Sequence, residues 1–462
     1  MAVAAVTLAV AVLVAVLSGG GPPPLPLPGI GRPARPGDPF AYIPSRQADF
    51  VARATAGSAQ VLFTKSPDGA FATAQRVAAF RRLIDRAAAG TGIDPDTLEA
   101  IVFLESAGRP DAIAGTDPAD AAGLTQILAQ TGQSLLGMRI DLPMSRKLTA
   151  EIDTAYALGQ SARVIRLERR RAQIDDRFDP AKALAATVRY LQLAKHDLGR
   201  ADLAVVSYHM GIGNLQDVLA DYDGGHPVPY AQLYFDTAPD RHAGAYRLLS
   251  GFGDDSSLYY WRILGSEQIM RLYRSDPAAL LRLSALENDA GSTAEVLHPP
   301  DRTPTFANPD ALDLAYASRA ILPLPRNPRA LGMAYDPGLG SLAHRLGVPA
   351  ALYRGLRAPA LDLLIELAGR VRALSGGAAP LIVTSTVMDD RYEQLLGIDD
   401  PPAAAGWSFT IARRYVSEAQ ALAFQSMLDR LQALNLIAWE RYPSEIEVTV
   451  ASDAGRTIVN GP

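Results

Sequence analysis

Apolar and polar positions follow two different rhythms along this chain, one through its first two thirds and another through its last third. In ATAQRVAAFRRLIDRAAA (72–89), Val77, Phe80 and the pair Leu83–Ile84 recur at helical spacing, so helix is predicted across 47–90. The next segment, GTGIDPDTLEAIVFLESAG, carries its own start signal: Gly92 breaks the preceding helix, Asp94 can cap, and Pro95 suits a first turn. That helix is predicted to stop near Ala107-Gly108, with Pro110 beyond it. Helical patterns continue over 147–176, 180–197, 201–221 and 256–287, and no convincing strand interrupts them. Residues 162–178 mix both charge signs and read as a solvated helix face with local ion pairs. A Pro/Ser/Thr/Asn-rich connector follows at 288–312. Beyond it, 361–374 and 417–435 are helical, whereas 380–387 (PLIVTSTV), 407–413, LIAWERY and EIEVTVA read as strands. The expected fold is multidomain: an all-α part followed by a small α+β part, without internal repeats.

The N-terminus adds a location. Residues 2–17 form an uncharged apolar run that spans roughly 24 Å as a helix at 1.5 Å per residue. Two readings of 1–20 compete, a signal peptide and an uncleaved membrane anchor. The segment 21–46 opens with GPPPLPLPGIGRPARPGDP, whose eight prolines predict a stalk reaching about 60 Å at ~3.1 Å per residue. Together they predict an extracytoplasmic protein, secreted or held to the membrane through its N-terminal segment.

Composition narrows the chemistry. With 462 residues, 48% apolar and 20% charged, the chain can build two or three packed domains. Its net charge of −5 argues against nucleic acid as a partner. It has no cysteine, which excludes disulfides, thiolate metal sites and lipid attachment through cysteine. No cofactor and no metal site is expected.

Three short segments carry the candidate site. FLESAGRPD places Glu105 and Ser106 at the end of an apolar helix, AAGLTQIL supplies Gly123, Thr125 and Gln126, and AVVSYHMGIGN supplies Tyr208, His209 and Gly211. Each alone is weak, since a single helical Glu is usually a solvated carboxylate. In order and spacing, however, they resemble the soluble lytic transglycosylases, relatives of goose-type lysozyme. That family carries E-S, then G-L-M-Q, then A-Y-N-A-G-x-G about a hundred residues on; here Tyr208 follows Glu105 by 103 residues. FDPAKALAATVRYLQLAKHDLG (178–199) is a fourth family-like element, and the resemblance covers about 70–275. Departures are Thr125 for Met, Ser207 for Ala, His209 for Asn, Met210 for Ala and Ile212 for Pro. His209 reads as a hydrogen-bonded structural histidine at a position where the family's Asn shapes the sugar site.

A glycosidic oxygen needs a proton as it leaves, and a carboxylic acid keeps one near neutral pH only in apolar surroundings. Glu105, following Ile-Val-Phe-Leu, suits that role. The resemblance implies a lysozyme-like transglycosylase domain over 47–287 that cuts peptidoglycan between N-acetylmuramic acid and N-acetylglucosamine. It implies Glu105 as sole acid and base, with Ser106, Gly123, Gln126, Tyr208, His209 and Gly211 around the saccharide and Tyr208 bonded to Glu105. Asp111, Asp117 and Asp120 offer an alternative, a positioned water and a hydrolytic lysozyme outcome. A non-catalytic wall-binding or scaffold protein is the third reading.

After the linker at 288–312 comes the small α+β part, 313–462; through TSTVMDDRYEQLL (384–396), GWSFTIARRY (406–415) and IEVTV (446–450), its residues 361–451 resemble, more faintly, the zinc D,D-carboxypeptidases. The positions of that family's metal ligands hold Ala403, Thr410 and Glu447. The resemblance therefore implies an α+β module without metal, able to meet wall stem peptides.

Overall fold

The computed structural model describes residues 38–253, 255–289, 293–377 and 379–459. The apolar run at 1–20 and the proline-rich residues up to 37 lie outside the described residues. Among the described residues no helix is long and apolar enough to cross a membrane. The chain divides into two compact units: one of Ser58–Leu233 with Arg247–Ala285, the other of the residues up to Gly57, Tyr234–Tyr246 and everything from Leu286 onward.

The first unit is helical, with isolated β-bridges but no strand among the described residues. Its main helices are α1 (Gly69–Ala78), α2 (Arg81–Ala88), α3 (Pro95–Ser106), α4 (Leu142–Ala157), α5 (Ser161–Ile174), α6 (Pro180–Leu198), α7 (Ala201–Met210), α8 (Ile212–Asp223) and α9 (Tyr259–Ser275). Helix α3 is central. Asp94 caps it by accepting from the Asp96 N–H, Pro95 opens its first turn, and Leu98 to Phe103 are all buried. It packs chiefly on α9 and is flanked by α1 and α2. Ala107 ends it in a left-handed conformation, φ 53°. Buried Glu99 is neutralised by Arg81 at 3.1 Å and by Arg274 of α9.

Three long helical predictions break where the backbone demands it. The 147–176 stretch is a hairpin of α4 and α5, turned at Gly159 with φ +67°. The 201–221 stretch divides at Gly211, φ +87°, and 256–287 divides before Pro277, which cannot continue the ladder of α9. The charged stretch 162–178, read as a face of local ion pairs, forms them among the described residues only at its end, at Asp175–Arg177 and around Asp176.

The second unit is built on a five-stranded sheet of β1 (Met333–Tyr335), β2 (Leu381–Ser385), β3 (Ser408–Ala412), β4 (Ile437–Arg441) and β5 (Glu445–Val450) in the order β1-β2-β3-β5-β4. Only β1 and β2 run parallel, with Ala334 opposite Ile382; Thr410 of β3 stands opposite Glu447 of β5. Helices α10 (Ala358–Leu374) and α11 (Glu418–Ala433) pack on each other and on the strands. Strand β1 was not expected.

Two boundaries differ from the expectation. Residues 38–46 were read as stalk and 47–57 as the start of the lytic domain, yet both stretches pack within the sheet-bearing unit. Asp38 lies 2.8 Å from Arg430, with Arg241 at 3.7 Å and Arg370 at 3.8 Å. Arg430 also donates to the carbonyls of Phe40 (2.6 Å) and Phe235 (2.8 Å), and Phe50 packs on Phe235. Within the expected linker, the described residues 293–312 are likewise bound at specific points. The His298 ring stacks on Trp407 at 4.6 Å and its Nε2 bonds the Val450 carbonyl, while the Phe306 N–H donates to the Ala404 carbonyl. Polar composition suggested a linker, but these contacts cover the sheet.

Burial pushes the Asp38 carboxyl up, but Arg430, Arg370, the Phe40 N–H and Arg241 outweigh it and hold it below the usual carboxylate range. Its stabilising contribution is therefore present above its unfolded value and lost as pH falls through the depressed folded value. Asp38→Ala should lower the urea stability of this unit by about 3 kcal/mol at neutral pH, because three guanidinia lose their shared partner. Parent and variant should converge in strong acid. An unchanged midpoint at pH 7 would refute the role.

Candidate active site

Glu105 lies half-buried in the last turn of α3, next to its final residue Ser106. Burial pushes its carboxyl up to about 7, against the opposing hydrogen bond that the Tyr259 hydroxyl donates to Oε1 at 2.7 Å. Tyr259 stands at the start of α9, 154 residues away in sequence. It belongs to none of the sequence motifs; its only cue is the aromatic run Tyr259-Tyr260-Trp261 in a helical segment.

Tyr208, expected to bond Glu105, does not. Its hydroxyl donates to the Thr125 carbonyl at 2.7 Å and lies 3.2 Å from Thr187 Oγ1. Its ring packs edge-on against Tyr190 and stacks on Tyr259 with centroids 6.4 Å apart. It is nevertheless a close neighbour of Glu105: burial first, and the Glu105 charge second, raise its phenol above its ordinary value. His209, in the last turn of α7, stacks on the other aromatic partner, Tyr259, at 5.3 Å. Its Nδ1 pairs with Ser256 Oγ at 2.8 Å, and the ring is otherwise exposed. The third motif thus builds an aromatic stack under the tyrosine that holds the carboxyl.

The second motif forms a turn braced from inside. Ser106 is buried, and its hydroxyl donates to the Leu124 carbonyl at 2.7 Å, so it ties α3 to the turn. Gln126, with φ +51°, uses its Nε2 on the carbonyls of Gly123 (2.8 Å) and Ala112 (3.1 Å). Thr125 is fully buried, and its hydroxyl has no hydrogen-bond partner among the described residues. Gly123 has φ +80°, and a Cβ there would lie 1.9 Å from the Arg177 carbonyl. Gly211 is the hinge between α7 and α8, where a Cβ would meet nothing closer than 3.8 Å.

Behind this turn lies Arg177, fully buried. All five of its N–H donors are used: two on Asp175 (3.0 and 2.7 Å), and the others on the carbonyls of Pro118, Asp120 and Ile127. Of the three nearby acids, Asp117 is engaged by Arg146 through both oxygens at 2.8 and 2.9 Å and accepts from the Ala119 N–H. Those bonds, the Arg146 one foremost, lower its pKa.

In the sheet-bearing unit, Ala403, Thr410 and Glu447 line one cavity of about 850 Å³ together with Asp400 and Glu440. Burial, then the hydrogen bond and charge of Asp400, hold the Glu447 carboxyl above its ordinary range. Among the described residues no group of three His, Cys, Asp or Glu side chains is placed to hold a metal.

Residues 82–158 match the family described as Transglycosylase SLT domain. The matched stretch contains Glu105, Ser106, Gly123 and Gln126, and stops short of Tyr208 and His209. It does not reach residues 313–462. No curated protein matches the chain.

Two outcomes follow from this geometry. Tyr259→Phe removes a bond that favours the charged carboxylate, so the Glu105 pKa should rise above about 7, read by carbon NMR titration of labelled glutamate; a fall would contradict the bond. Gly123→Ala adds overlap with the Arg177 carbonyl at a positive φ and should cost the helical unit more than about 1 kcal/mol in thermal or urea unfolding. Parent-like stability would mean that the turn is not held as described.

Proposed function

We propose that the helical unit is a lytic transglycosylase that cleaves peptidoglycan strands between N-acetylmuramic acid and N-acetylglucosamine, with Glu105 as its one acid and base. The observation that carries this reading is a carboxyl with a pKa near 7, held by Tyr259 within a stretch that matches the SLT domain. At neutral pH such a group is protonated in a large fraction of molecules and can also act as a base in the same cycle. Protonated Glu105 gives its proton to the leaving glycosidic oxygen while the C1–O bond breaks. The substrate's acetamido oxygen supports the positive charge on C1. Glu105, now a carboxylate, takes the proton of the 6-hydroxyl; the O6–C1 bond closes an anhydro ring, the acetamido is released, and Glu105 is again protonated. No second carboxylate is required, unlike the two-acid scheme of most glycosidases.

Asp117 is committed to Arg146 and the Ala119 N–H, which favours ring closure over hydrolysis by a water held there. Peptidoglycan as substrate places the protein outside the cytoplasmic membrane, in keeping with the apolar run and proline-rich segment at its N-terminus. The sheet-bearing unit we read as a metal-free module whose cavity receives wall stem peptides.

Glu105→Gln should lower release of fragments from purified sacculi at least ~10²-fold. Products of the parent should end in 1,6-anhydro-muramic acid by mass spectrometry; reducing ends would instead mean a lysozyme. The same variant carries a stability signature. Glu105 has a folded pKa raised from 4.5 to about 7, so the parent loses stability as pH climbs between those values. Glu105→Gln should therefore match the parent near pH 4 and exceed it above pH 7 by up to about 3 kcal/mol. A variant that clears sacculi like the parent would remove Glu105 from the mechanism.

A further inference from the structure

The closed end of the α4–α5 hairpin carries none of the residues placed around Glu105. Every residue from Tyr156 to Arg163 is exposed. Tyr156 is 78% exposed, Leu158 63% and Ile165 48%, three large apolar side chains within one short stretch. The hairpin's own core is made by Leu148, Ile152, Ala155 and Leu167, so these three contribute nothing to holding it together. Charge is concentrated in the same place. Helix α5 carries five arginines against one glutamate, in a chain whose net charge is −5. Arg166, Arg169 and Arg170 are exposed, and none forms an ion pair among the described residues.

Exposed leucine and isoleucine gain nothing from a hydrated polysaccharide, whereas unpaired guanidinia alone would suit any polyanion. A surface offering both requirements at once is an anionic lipid leaflet. Its headgroup phosphates suit the arginines, its acyl boundary accepts the apolar tip, and a tyrosine is at home between the two. The apolar run at 2–17 independently predicts that this chain is brought to a membrane. We propose that the closed end of the α4–α5 hairpin docks shallowly on an anionic membrane surface through Tyr156, Leu158 and Ile165, with Arg166, Arg169 and Arg170 on the headgroups.

The absence of cysteine allows a direct test in the full chain. Leu158→Cys, labelled with an environment-sensitive fluorophore, is mixed with vesicles of phosphatidylcholine alone or in equal parts with phosphatidylglycerol. Leu314→Cys, at a position 69% exposed in the sheet-bearing unit, serves as control. The label at 158 should shift to the blue with the anionic vesicles, and the label at 314 should not. Because the N-terminal run is the same in all variants, it cannot produce that difference. Reversing Arg166, Arg169 and Arg170 to Glu should raise the lipid concentration for half-response on the order of a hundredfold or more, from roughly a factor of five for each arginine lost. Retained cleavage of glycan fragments by that variant shows that it is folded. Four results would overturn the proposal: a label at 158 that stays in water, equal shifts at 158 and 314, a response indifferent to lipid charge, or a response to purified sacculi in place of vesicles.

Discussion

A guanidinium sealed from water is costly unless every donor finds an acceptor, and Arg177 meets that condition completely. Two of its bonds neutralise it on Asp175; three collect carbonyls from a loop that has almost no regular structure of its own. That loop in turn supplies the Leu124 carbonyl that accepts from Ser106 and the Thr125 carbonyl that accepts from Tyr208. Glu105 is thus placed by contacts that run outward from a cation it never touches. The close approach of Gly123 to the Arg177 carbonyl belongs to the same construction, since the loop can be drawn this near only where a side chain is missing.

The second constraint is a balance at the carboxyl itself. Burial favours the protonated acid and the Tyr259 hydroxyl favours the carboxylate; burial prevails, and the opposing bond limits the rise to about 7. A deeper site without Tyr259 would hold a better acid for protonation but a poorer base for the return step. A wetter one would lose its proton before substrate arrived. The stack of His209 on Tyr259, with Ser256 behind the imidazole, fixes the ring whose hydroxyl sets that balance.

Sequence reading located the helix of Glu105, the motif order and four of the five strands of the sheet, because these rest on local periodicity and capping. It could not assign partners across the fold. Ser106, Gln126 and Tyr208 turn their polar atoms to backbone carbonyls, and Tyr259 rather than Tyr208 reaches the acid; such pairings depend on how helices pack, which no spacing encodes. Strand β1 has three residues, too few for alternation to register. Residues 38–46 and 288–312 misled for a common reason. Proline and polar side chains signal loop, yet Asp38, Phe40, His298 and Phe306 are each bound at a specific point.

The partnership of residues 38–57 with the end of the chain also sets an order of events. Asp38 and Arg430 are separated by 392 residues, and Arg53 and Asp453 by 400. At ribosomal speeds of about 5–20 residues per second, the first segment waits roughly 20–80 s for the residues that bury it. In that interval the residues of the helical unit are already complete, and they can fold as an insert between two halves of an unfinished partner. The sheet-bearing unit is then closed by a segment made well before the strands and helices it meets.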